Sequence, residues 1–154
     1  MSPPQAGEEE SAMSKLQEDI QATAHNFTLS LQGKLERPLD YSPESLEMVE
    51  ELLEALSQEE LDEKALFNLS SMAGCYVFET ARRSYGGEYF WLEEERQPVL
   101  AAGLPDFSVG IKAWEKVRGR LLNGKEDSIP FYIAGYQEHI AIGRNRKGYR
   151  VTIV

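Results

Sequence analysis

A chain of 154 residues with a formal charge of −10, one cysteine and two histidines is long enough to bury a core as one domain. It is too poor in soft ligands for a Cys/His metal site, so neither a metal nor another cofactor is expected. No apolar run reaches the ~18 residues a membrane span needs, and Cys75 has no partner for an internal disulfide. The charge is uneven: residues 1–63 carry 16 acidic and 3 basic residues, a net of −13, whereas residues 64–154 sum to +3. Such a front half repels the phosphates of nucleic acid and suits a basic protein partner by electrostatic steering.

Residues 1–12, rich in Pro, Gly, Glu and Ser, are expected as a flexible acidic tail, leaving 13–154 as a single globular domain. The opening segment lacks the apolar core of a secretory leader, so the expected compartment is the cytoplasm. From Ser14 to Gly33 the apolar residues Leu16, Ile20, Ala24, Phe27 and Leu31 recur every three or four positions and predict a first helix. A second begins at Ser42, a natural N-cap, with Pro43 at the first helical position. Its buried stripe is Leu46, Val49, Leu53 and Leu56, and five glutamates load the other side.

The sequence "SQEE" at 57–60 reads as a capping box that opens a third helix, with Ser57 as cap and Glu60 reaching back. That helix is expected to bury Leu61, Ala65, Leu69, Met72 and Tyr76, and to stop at Gly86-Gly87, where positive φ is cheap. "EYFWLEE" then has strand composition. "QPVLAAG" is its expected antiparallel partner, at an edge because Pro98 lacks an N–H. Asp106 or Ser108 is the expected cap of a fourth helix, buried through Ala113, Trp114, Val117 and Leu121 and ended by Asn123-Gly124. A fifth starts at Asp127 or Ser128. "GRNRKGYRVTIV" closes the chain as a polar turn and a strand, paired with "HIAI". The expected fold is α+β: about five helices with a small antiparallel sheet.

Chemistry is concentrated in "GCYVFETARRSYGGEYFW", residues 74–91. Glu79 stands three residues after Tyr76 and four before Arg83. A carboxylate half-buried beside a ring has a raised pKa and can act as a general base, but an i,i+4 Glu–Arg pair that fastens the helix end needs only the same residues. Glu79, Arg82, Arg83 and Tyr85 are thus the candidate ligand-binding residues, with no nucleophile beside them and no catalytic residue assigned. Cys75 lies late in its helix, where the dipole disfavours a thiolate, and reads as a space-filling apolar group. Gly86-Gly87 lacks the spacing of a phosphate loop. Arg144, Arg146, Lys147 and Arg150 around Tyr149 suit a charged turn at a sheet edge as well as they suit single-stranded nucleic acid, and the acidic remainder weighs against the latter. Lys112, Lys116 and Arg120 form a basic ridge on the fourth helix, facing solvent or the acidic second helix.

Taken in order, the motifs resemble an uncharacterised bacterial family, one of the domains of unknown function, over roughly residues 35–135. The resemblance is carried by Leu39-Asp40-Tyr41-Ser42, Ser45-Leu46, Gly74, Tyr76, Glu79, Gly86-Gly87, Trp91, Asn123-Gly124 and Asp127-Ser128. Phe78 stands where a small residue precedes the glutamate in that pattern. The resemblance agrees with the fold reading and implies no activity. With no catalytic constellation and a strongly acidic front half, the expected function is a small, non-enzymatic protein-binding module, immunity- or antitoxin-like in one concrete version. The alternative is an enzyme or small-ligand binder at the Glu79 corner.

Overall fold

The computed structural model describes residues 6–154, with side chains described from Lys15 onward. Helix α1 spans Ala6–Ser30. Residues 1–5 of the expected acidic tail lie outside the described residues. A 3₁₀ turn at Pro43–Ser45 leads into α2 (Leu46–Ser57), followed by α3 (Glu63–Tyr85) and strands β1 (Glu88–Leu92), β2 (Gln97–Ala102) and β3 (Ser108–Ile111). Then come α4 (Ala113–Asn123), a second 3₁₀ turn at Lys125–Asp127, α5 (Ile129–Arg144) and β4 (Arg150–Ile153). The fold is α+β with one four-stranded sheet in the order β1-β2-β3-β4.

Helix α3 is the organising element. Nine successive residues, 73–81, are buried, which one amphipathic stripe does not produce. They are buried because α1 and α4 both pack on α3 and its C-terminal half also meets the sheet and α5. Leu66, Ala73, Tyr76, Val77 and Phe78 therefore join Ile20, Ala24 and Phe27 of α1, and Val117 and Leu121 of α4, in one core. Close approach of α4 depends on Gly74, where a Cβ would lie 2.7 Å from Trp114 Cδ1 and 3.0 Å from Trp114 Cα.

Several local expectations hold. Ser42 caps the turn before α2 by accepting from Ser45 N–H, with Pro43 behind it. Ser128 caps α5 by accepting from Phe131 N–H, and Gly86 and Gly124, both at positive φ, end α3 and α4. Others are overturned. Ser57 does not open α3: it closes α2, its hydroxyl donating back to Glu54 O at 2.6 Å. The cap of α3 is Asp62, whose carboxylate accepts from Ala65 N–H at 2.8 Å. Neither Asp106 nor Ser108 caps α4, because Ser108–Ile111 is a short, largely buried strand, a run too brief for its periodicity to betray it. The N-cap of α4 is Lys112, and its N–H is satisfied from afar by Tyr132 Oη at 3.0 Å.

The sheet is mixed, not purely antiparallel. β1–β2 and β2–β3 pair antiparallel, whereas β4 returns beside β3 in parallel after a crossover through α4 and α5. "HIAI" belongs to α5, since Ile140 serves the core from a helix. Pro98 also lies in an inner strand. It is tolerated there because β3 pairs only with Leu100–Ala102, so no neighbour on that side needs a donor from residue 98.

Candidate functional site

The corner where α3 turns into β1 is a closed hydrogen-bonded knot built around Glu79. Its side chain is wholly buried, not marginal to the stripe as its spacing suggested. Arg82 donates to it twice, Nε to Oε2 at 2.8 Å and Nη2 to Oε1 at 3.0 Å. Arg83 Nε reaches Oε1 at 3.4 Å, and Tyr89 Oη, across the Gly86-Gly87 turn, donates to Oε2 at 2.6 Å. Four donors occupy the roughly four lone-pair sites of one carboxylate. Burial pushes the Glu79 pKa up, but the hydrogen bonds from Arg82 and Tyr89 and the two guanidinium charges outweigh it and hold the carboxyl below its ordinary value. Burial, the Glu79 charge and their shared hydrogen bond push the Tyr89 phenol far up, so it stays the proton donor.

The other corner residues are brought together but turned to structural contacts. Arg83, half-exposed, stacks its guanidinium 3.7 Å above the ring of Tyr41. Tyr41 stands at φ +63, and its N–H donates to Tyr76 Oη, which also shares a 2.6 Å hydrogen bond with Ser45 Oγ. Tyr85 meets the edge of Tyr136, whose hydroxyl donates to Gly86 O at 2.9 Å. At Gly87, φ +128, a Cβ would lie 2.7 Å from Tyr136 Oη and 2.8 Å from Leu100 Cδ1. The chain turns here because only glycine has both the backbone freedom and the lack of bulk the turn requires. Chemically, the cluster holds an anion in place and fastens α3 to β1; it offers no carboxylate free to take a proton.

Cys75 is buried and accepts from Trp114 Nε1–H at 3.4 Å. Burial pushes its thiol up to about 11, against the small opposing pull of that indole. The basic ridge of α4 is dispersed into partners: Lys112 to Glu95, Lys116 to Asp127, and Arg120 to Glu50 and Glu54 of α2. Arg120 faces the acidic second helix and not solvent, its side chain only 1 % exposed. His139 pairs with Tyr149 Oη at 2.6 Å. Among the described residues no three His, Cys, Asp or Glu side chains converge as metal ligands, and no helix is long and apolar enough to cross a membrane.

A second feature was missed by the sequence reading. Phe67 and Trp91 are 54 % and 45 % exposed, and each stands edge-on to Trp114, at 6.0 and 6.1 Å between ring centroids. Beside them a cleft of about 180 Å³ opens between α3, the β1–β2 turn and α4, lined in part by Phe67, Ser70 and Trp114. The spacing of α3 held the signal, since Phe67 lies off the expected stripe of Leu61, Ala65, Leu69, Met72 and Tyr76. Comparison with protein-family models, curated proteins and solved structures finds no match for the chain.

Proposed function

We propose that this protein is a non-enzymatic protein-binding module acting in the cytoplasm on a basic partner, in the manner of an immunity protein or antitoxin. One observation carries the reading: a run of acidic side chains not used by the fold lies along α2 and its flanks. Glu44 in the 3₁₀ turn, Glu47 and Glu51 on α2, and Glu59 and Glu60 after it are exposed, and none has an ion-pair partner among the described residues. By contrast, Glu50 and Glu54 are engaged by Arg120, and Glu79 by Arg82 and Arg83. A surface row of uncompensated carboxylates raises the encounter rate with a cationic protein and repels nucleic acid.

The rival reading, an enzyme or small-ligand binder using Glu79, Arg82, Arg83 and Tyr85, requires Glu79 to act on something other than its four present donors. Membership of the uncharacterised bacterial family is part of the proposal, and the positions carrying the resemblance are largely posts of the architecture. Asp40 accepts from Ser42 N–H and Oγ, Tyr76 ties Tyr41 to Ser45, and Asp127 receives Lys116 and Asn123.

The test is affinity capture with the tagged chain, beside a variant carrying E47K, E51K, E59K and E60K, at low and high salt. A stoichiometric partner of high isoelectric point, retained only at low salt and only by the native chain, is the expected result. Equal capture by both proteins would reject the acidic row as the docking face. Loss of a catalytic turnover in Glu79→Gln, with the fold and the capture intact, would move the function to the corner.

A further inference from the structure

We infer that the cleft beside Phe67 and Trp114 is the anchor point of this interaction, and that it takes the cationic side chain of a lysine or arginine on the basic partner. The inference rests on the basic-partner reading and adds to it a site and an occupant.

Three features select that occupant. The first is size. At about 180 Å³ the cleft is smaller than the roughly 300–1,000 Å³ of small-molecule pockets, so it fits one side chain rather than a whole cofactor. The second is its wall. Phe67 and Trp114 line it and Trp91 extends the row, an aromatic wall of the kind that attracts a cation through the ring quadrupole and covers its aliphatic stem. Exposed aromatics of this kind, ordered by one another, are the side chains that dominate interface energetics.

The third is charge. Two cation–anion pairs at the cleft compensate themselves, Lys112 with Glu95 and Arg118 with Glu63. Of the charged groups that remain, the lining keeps Glu115 and Arg96 and the β1–β2 turn beside it adds Glu93 and Glu94, all exposed and none with an ion-pair partner among the described residues. The balance favours a cation and penalises an anion. An uncharged apolar occupant would strip water from those carboxylates without compensating them.

The chain has two tryptophans, Trp91 and Trp114, and both stand at this site, so indole signals report on it directly. The experiment titrates an octalysine peptide into the native chain, F67A, E115K and the α2-face variant. Binding is followed by calorimetry, and the cleft by tryptophan fluorescence and the indole N–H resonances. Octaaspartate serves as the opposite-charge control. Phe67 and Glu115 are exposed, so neither substitution should disturb the fold.

The expected result is a saturable indole response to octalysine and none to octaaspartate, with affinity reduced about five- to ten-fold in F67A, in line with one cation–π contact. E115K should weaken binding in the same direction. If octalysine binds by calorimetry with unmoved indole signals and full affinity in F67A, the cleft is not the anchor, although the basic-partner reading survives. If octalysine does not bind the native chain at all, both fail. An indole response to octaaspartate equal to that of octalysine overturns the assignment of a cation.

Discussion

Tyr89 on β1 donates to Glu79 on α3 across 2.6 Å, from the far side of the Gly86-Gly87 turn. This contact makes the corner one unit, because the carboxylate already holds Arg82 and Arg83 of its own helix. Glu79→Gln removes the charge that all three donor residues share. We expect a loss of about 1–3 kcal/mol, as for buried hydrogen bonds to a charged group, because the guanidinium groups left behind reach solvent, or roughly 2–12 °C in Tm for a chain of this size. The dependence on pH follows from the lowered pKa. A carboxyl depressed in the folded state contributes fully above its unfolded value, near 4.5, and loses that contribution as pH falls through the folded value. Urea unfolding at pH 7 and pH 3 should therefore show a steeper acid loss in the native chain than in E79Q. Parallel losses would mean that Glu79 does not carry this linkage.

Arg120 gives the second prediction. Its guanidinium is buried between α4 and α2, with Nε on Glu50, Nη2 on Glu54 at 2.6 Å, and Nη1 without a partner among the described residues. Arg120→Met keeps most of the volume but leaves two carboxylates facing each other, one of them only 17 % exposed. A destabilisation of about 3 kcal/mol is expected in chemical denaturation. The triple variant R120M/E50Q/E54Q should recover part of it, because the neutral amides remove the repulsion. A triple variant no more stable than R120M would place the cost in packing instead of charge.

What the sequence disclosed and what it hid divide by range. Ser42, Ser128, Gly86 and Gly124 act on their own neighbours, so their roles as caps and stops were legible. Asp62 displaced Ser57 because two acceptable caps stood five residues apart, and local pattern does not rank them. The parallel β3–β4 pairing was hidden, since it joins residues about forty positions apart through two helices. The same holds at the candidate sites. Glu79 with Arg82 and Arg83 follows from helical spacing, but the donor from Tyr89 needs the turn geometry. The aromatic cleft was obscured because Trp114 reads as a core residue until its neighbours are placed, and because Phe67 falls off the stripe.

Two helical glycines should respond with opposite signs to the same substitution. At Gly135, inside α5, an added Cβ would meet nothing within 4 Å. Gly135→Ala should therefore stabilise the protein by about 0.5–1 kcal/mol through helix propensity alone. At Gly74 the added Cβ would press on the Trp114 backbone as well as its ring, and helix α4 would have to retreat from α3. Gly74→Ala should cost about 1–3 kcal/mol, the range for overpacked cores. Thermal melts of both variants decide the matter, and a G74A protein as stable as the native chain would show that the α3–α4 contact has slack.

Cys75 provides the last prediction. Its side chain is 2 % exposed, and burial pushes its thiol up to about 11. At pH 8 the thiolate fraction of such a group is on the order of 10⁻³, far below that of an unperturbed cysteine. In the native protein, labelling by an aromatic disulfide reagent should be slow and should accelerate with urea in step with unfolding, reaching completion once the chain is denatured. Because the folded pKa is raised, the group's contribution is fully present below about 9, the unfolded value, and is lost as pH climbs through 11. Cys75→Ala should flatten that alkaline loss while leaving a small cavity at the α3–α4 contact. Rapid labelling of the native chain at neutral pH would contradict both the burial and the raised pKa, and would make Cys75 a reactive group.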